Sequence, residues 1–279
     1  MSSKDLLESV KKLRQVTGVG FKDCKLAIDE SGGDLEKAID FLRKKGIAKA
    51  SNKMNRTAAE GLCLLHEKNG EVSLIEINSE TDFVAKNEVF ISFCKEVSII
   101  NFENKSNLPK INKALMKNNL PVETNLTDLI AKMGEKITIR RSVFFTNDDG
   151  KNFFYIHGAL GNDIGKIVSI VKTLKENEMG KKIAMHISAL SPMALDEKTL
   201  NKNIIDKEIE IIKAELLNSG KPTEMIEKIA KGKINKFISE NTLLNQVWIM
   251  DPKKKVSDIL KENDIIVTDF IRYKVGEGV

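Results

Sequence analysis

The chain has 279 residues, 41% hydrophobic and 30% charged, and its 45 basic and 40 acidic side chains leave a net charge of +5. That length admits about two domains, and that balance favours a packed globular protein over a disordered one. It contains no apolar run near the roughly 18 residues that span a bilayer, and Met1-Ser2-Ser3-Lys4 leads straight into an amphipathic pattern, unlike a secretory signal.

The first predicted elements are short helices. Leu6, Val10, Leu13 and Val16 recur at helical spacing until Thr17-Gly18-Val19-Gly20 breaks the pattern. Cys24, Ala27 and Ile28 mark a second helix, stopped by Ser31-Gly32-Gly33. Asp34 is then placed as an N-cap before Leu35, Ala38, Ile39 and Leu42. Residues 1–43 therefore read as a three-helix module, and 44–56 as a basic linker. Residues 1–55 carry twelve Lys/Arg against eight Asp/Glu, so most of the positive excess sits in the first fifth of the chain. Such a module suits either nucleic acid or an acidic protein surface.

From Glu60 the period changes to that of strands. Leu62–Glu67 and Val72–Asn78 flank Lys68-Asn69-Gly70-Glu71, where Asn-Gly supplies the two positive φ angles of a type I′ hairpin turn. A helix is predicted from about Asn87, with Phe90, Phe93, Val97 and Ile100 on one face. Ile137–Phe145 and Phe153–His157, joined by Asp148-Asp149-Gly150, read as a second hairpin, and Lys166–Val171 as a further strand. Hairpins and helices in this order, without βαβ units, define an α+β class. We expect a core N-subdomain over 57–140 and a core C-subdomain over 141–279. The latter carries an inserted antiparallel helical hairpin at about 195–240, because Ile205, Ile209, Ile212 and Leu216 follow a heptad-like spacing and Ser219-Gly220-Lys221-Pro222 turns the chain back. Strand patterns return at Val247–Met250 and Ile265–Val275.

Few patterns here suit catalysis. Cys24, Cys63 and Cys94 lack C-x-x-C spacing, and His66, His157 and His186 share no metal-ligand spacing with them, which leaves no candidate metal site and suits a reducing cytoplasm. Gly161-Asn162-Asp163-Ile164-Gly165-Lys166 fails as a phosphate loop at Leu160 and Ile167, so no nucleotide cofactor is expected. Glu80 and Asp82 lack an accompanying base or nucleophile. Aromatics do not interleave with the basic clusters, so direct nucleic-acid binding is not expected either.

One junction stands out. In Glu76-Ile77-Asn78-Ser79-Glu80-Thr81-Asp82-Phe83-Val84-Ala85-Lys86-Asn87 a strand breaks into an acid and a phenylalanine just before a helix. Phe83 either caps the core there or forms, with Asp82, an exposed anchor for a partner.

That segment is similar to the T-D-F-V-A-(K/R)-N signature of the bacterial elongation factor Ts family. Leu13-Arg14 with Thr17-Gly18-Val19-Gly20 and Asp23-Cys24-Lys25, Ile183-Ala184-Met185-His186-Ile187, Ser219-Gly220-Lys221-Pro222, and Phe270 to Gly278 resemble further family stretches in the same order. The resemblance implies a cytoplasmic translation factor, not itself an enzyme and without a cofactor. It would bind elongation factor Tu, GDP-bound or nucleotide-free, and promote exchange of GDP for GTP. Thr81, Asp82, Phe83 and Val84 would then disturb the partner's magnesium site. Lys11, Arg14 and Phe21 of a ubiquitin-associated-like first module would grip a second place on the same partner, and the helical, coiled-coil-like hairpin would support self-association. His157 to Lys166 departs from the family pattern, so no contact is carried onto that loop. The alternative readings are an RNA-associated protein or a peptide-binding adaptor without exchange activity.

Overall fold

A computed structural model describes residues 3–17, 19–53, 55–217 and 223–279. The chain divides into two compact units, one formed by Met1–Phe144, Ala159–Lys166 and Tyr273–Val279, the other by Phe145–Gly158 and Ile167–Arg272. The architecture is α+β, as the sequence pattern predicts.

The first unit begins with α1 (Ser3–Thr17), α2 (Phe21–Glu30) and α3 (Leu35–Lys53). Val10, Leu13, Cys24, Ala27, Ile28, Ala38 and Leu42 form their shared core. Asp34 caps α3, its Oδ1 accepting from Lys37 N at 3.1 Å. The basic stretch after Lys44 is helical through Lys53. Gly18 and the turn at 219–222 lie outside the described residues.

Next comes a four-stranded sheet in the order β3-β2-β1-β5. Strands β1 (Glu60–Lys68) and β2 (Glu71–Ser79) form the expected hairpin, in register from Glu60↔Ser79 to Lys68↔Glu71, and Asn69 (φ 56°) and Gly70 (φ 80°) take the left-handed angles of its turn. Their apolar face packs on α5 (Glu88–Glu103) and α7 (Val122–Met133) through Leu62, Leu64, Ile75, Ile77, Phe90, Val97 and Leu129. Between those helices lies α6 (Leu108–Lys113). The edges are β3 (Ile137–Phe145) and the two-residue β5 (Ile164–Gly165).

On the opposite face of β2 sits Glu76, buried and held by four donors. These are Arg140 Nη1 at 3.1 Å, Arg141 Nε at 2.5 Å, Asn78 Nδ2 at 2.9 Å and the backbone N–H of Gly276 at 2.9 Å. Burial pushes its carboxyl up, but Gly276, Asn78 and Arg141 together outweigh that and hold it below the usual carboxylate range. Arg141 also lies over the Tyr273 ring, 4.2 Å from its centroid. Gly276 has φ 75°, and a Cβ there would fall 2.0 Å from Ala59 O, so no other residue fits.

The second unit holds a three-stranded sheet in the order β4-β6-β7, from β4 (Lys151–His157), β6 (Ile167–Thr173) and β7 (Val267–Lys274), whose last two residues belong to the first unit. Against it pack α8 (Gly180–Leu190) and α11 (Val256–Glu262), with Val171, Ile183, Ile187, Leu243, Trp248, Val256 and Leu260 in the core. His186 stacks on Trp248 at 5.0 Å. Its Nδ1 accepts from Ile249 N, and its Nε2 donates to Gln246 Oε1 at 3.0 Å. Helices α9 (Lys202–Leu217) and α10 (Thr223–Asn241) join antiparallel, Ile212 and Leu216 meeting Ile226 and Ala230 while Ile205 clusters with Phe237 and Ile238.

Two strand expectations are corrected. β3 and β4 do not form a hairpin across Asp148-Asp149-Gly150, since β3 pairs with β2 and β4 pairs antiparallel with β6. Their apolar faces belong to different cores: Ile137 and Ile139 join the first, Phe153 and Tyr155 the second. Val247–Met250 is not a strand. Only an isolated bridge, Val247↔Lys255, forms there, because the segment is a loop that inserts Trp248 into the core and leaves Val247 and Ile249 exposed.

Candidate functional site

Strand β2 ends at Ser79, and the chain turns at once into a single helical turn, α4 (Asp82–Ala85). Ser79 Oγ donates to Thr81 O at 2.9 Å. Thr81 stands extended at φ −124° and caps α4, its Oγ1 accepting from Val84 N at 3.5 Å. A cap bond that long restrains little, and the stronger hold comes from outside. Glu135 accepts from Thr81 N at 3.0 Å and from Thr81 Oγ1 at 2.7 Å, while Glu80 accepts from Lys136 N at 2.6 Å. Arg56 lies 3.4 Å from the Glu80 carboxylate.

With the turn fixed, the 3.6-residue period sends neighbouring side chains in different directions. Val84 and Ala85 point inward and join the core of the first unit. Phe83 points outward and is 81% exposed. The core-cap reading of Phe83 is therefore overturned, because Val84 and Ala85 already fill that place. Asp82 pairs with Lys86 one turn on, at 2.7 Å, and that hydrogen bond holds its carboxyl below the usual range. Asn87 then caps α5, accepting from Val89 N at 2.9 Å.

Lys11, Arg14 and Phe21 occupy the first module. Lys11 and Arg14 are exposed on α1, one turn apart, with Leu13 buried beside them. Phe21 is the first residue of α2 and is 45% exposed. Cys24, one turn beyond Phe21, is close enough for the Arg14 charge to act on its thiol, although burial dominates and raises it.

Three contributors, Glu135, Lys136 and Arg56, carry no motif that marks them for this junction. Their only sequence signal is Gly134, whose left-handed φ of 77° ends α7 and delivers Glu135 to the loop. His157 to Lys166 serves a structural end. Ile164 and Gly165 pair with β1, and Lys166 Nζ reaches Glu60 at 2.8 Å and Gly61 O at 3.1 Å. Among the described residues no group of three or more His, Cys, Asp or Glu side chains is arranged to hold a metal ion, and no helix is long and apolar enough to cross a membrane.

The junction thus buries Val84 and Ala85 and leaves Phe83 exposed on a turn tied to the start of β3. The family model described as elongation factor Ts matches residues 80–277. The chain belongs to that family of translation elongation factors, a family that in general interacts with elongation factor Tu.

Proposed function

We propose that this chain binds elongation factor Tu carrying GDP and accelerates release of the nucleotide, in the cytoplasm, so that GTP can replace it. The observation that carries this reading is the exposure of Phe83 beside the buried Val84 and Ala85. An aromatic left 81% in water has its hydrophobic driving force unspent until a partner covers it. Phe83 enters between elements of the partner's nucleotide-binding domain, and Asp82 competes for the groups or waters that order the magnesium ion. Thr81 and Val84 hold the pair in place from either side. Magnesium bridges protein and phosphate oxygens, so disturbing it leaves the pyrophosphate charge poorly compensated. Reciprocity follows: GDP and this chain each weaken the other's binding by the same factor.

Asp82 enters that contact paired with Lys86. The pair is exposed, so exchanging it for a contact on the partner costs little. Lys11, Arg14 and Phe21 supply a second grip, adding affinity and orientation through charge and one half-exposed ring.

The test follows a fluorescent GDP analogue on purified elongation factor Tu. Substoichiometric amounts of the chain are expected to accelerate its release catalytically, with saturation as the partner concentration rises. Release at the spontaneous rate in the presence of excess chain would refute the proposal.

A further inference from the structure

We infer that Glu135 is a positioning residue for the Phe83 elbow, an assignment that rests on the exchange reading above. Four-residue helices do not hold themselves in water, since one turn fixes several dihedrals for a single hydrogen bond. The orientation of α4 must therefore come from its surroundings. Val84 and Ala85 anchor its inner side in the core, and Ser79 Oγ donates to Thr81 O, but neither engages the N–H or the hydroxyl proton of Thr81, which begins the turn.

Crossed bonds engage both. Glu135 takes both donors of Thr81, the N–H at 3.0 Å and the hydroxyl at 2.7 Å, while Glu80 takes the N–H of Lys136 at 2.6 Å. Two consecutive residues at the exit of β2 are thus bonded to two consecutive residues at the entrance of β3, each side contributing one carboxylate. Bonds to an ionised acceptor are shorter and stronger than neutral ones. With N–H and O–H of Thr81 both committed to one carboxylate, the residue that begins α4 is tied to the entrance of β3 at two points. Gly134 makes the geometry available, because its left-handed turn brings the carboxylate back over the loop.

Without the Glu135 carboxylate, Thr81 turns its donors to water and the elbow samples several orientations. The fraction competent to insert Phe83 falls, and the maximal exchange rate falls with it.

The experiment uses the full chain in two measurements. The first records the maximal rate and half-saturating concentration of GDP-analogue release from elongation factor Tu for the parent, Glu135→Ala, Glu135→Gln, Phe83→Ala and the double variant Phe83→Ala/Glu135→Ala. Glu135→Ala is expected to lower the maximal rate about tenfold with a smaller change in half-saturation. Glu135→Gln should recover part of it, because its amide oxygen still accepts from Thr81. In the Phe83→Ala background Glu135→Ala should add less than twofold, since the residue acts through that ring. The second measurement needs no partner: cleavage of the free chain by chymotrypsin at Phe83, read by mass spectrometry, should rise about tenfold in Glu135→Ala as the elbow opens locally. Unchanged cleavage overturns the assignment whatever the exchange data show. A full tenfold loss persisting in the Phe83→Ala background also overturns it, since Glu135 would then act elsewhere. Raised cleavage with a Phe83→Ala variant as active as the parent would keep the brace and refute the exchange reading.

Discussion

Replacing Phe83 by alanine isolates the exchange step from folding. A phenylalanine buries about 150–250 Å² when fully covered, and Phe83 is 81% exposed in the free chain. Covering that remainder removes about 120–200 Å² from water, about 3–5 kcal/mol at 25 cal/mol per Å². Ordering the ring and desolvating its surroundings offset part of this. Coupling between two ligands is typically about 1–3 kcal/mol, so we expect the maximal rate of GDP release to fall about 10- to 100-fold. Stability should barely move, because an exposed side chain away from caps and cores contributes within about 0.5 kcal/mol. Stopped-flow release of a fluorescent GDP analogue gives the rate, and urea unfolding of the same sample gives the stability. Phe83→Leu should fall between parent and alanine. If Phe83→Ala matched the parent in rate, the reasoning from exposure to mechanism would fail. A large loss of stability would show instead that the ring supports the fold.

Arg14→Ala should raise the half-saturating concentration several-fold and leave the maximal rate near the parent's, with the difference shrinking at high salt; titration at two ionic strengths checks it, and a changed maximum would refute a purely docking role. Glu76→Ala should cost about 3 kcal/mol or more in urea unfolding, because two arginines lose their shared partner. With the native pKa of Glu76 lowered, its stabilisation is complete above the unfolded value of about 4.3 and is lost as pH falls through the native value. The gap between parent and Glu76→Gln should accordingly close on acidification, and a gap unchanged at pH 2.5 would refute the assignment. His186 has its pKa lowered chiefly by burial, so its neutral form is favoured in the fold. Stability should fall by up to about 1.4 kcal/mol per pH unit as pH drops below about 6.5. His186→Asn should lack that slope, and identical slopes in the two proteins would rule the effect out.

The parts legible in the sequence were those fixed by near neighbours. Asn69-Gly70 demands its turn by backbone angles alone, and the helical spacing of Leu6, Val10 and Leu13, and then of Cys24, Ala27 and Ile28, declares two core-facing helices. The direction of Phe83 was not legible from composition. In a single turn, three apolar residues share an inner side that takes two, and the brace on that turn comes from Glu135, 54 positions away. Asp148-Asp149-Gly150 carries hairpin chemistry, yet β3 and β4 go to different sheets because each strand's apolar face matches a different core. Glu76 fits the alternation Ile75-Glu76-Ile77-Asn78 as a polar residue, and nothing local declares that it is buried. Its counterparts lie at Arg140, Arg141 and Gly276, far beyond any local window.

That long reach sets an order of events during synthesis. Glu76 and the amide that helps neutralise it are separated by 200 positions, which at ordinary translation speeds is roughly 10–40 s. Arg140 and Arg141 reach Glu76 within the first third of that interval, and the Gly276 amide completes its set of donors, the closing stitch, only at the far end of the message. A protein cut before Gly276 would never receive that stitch.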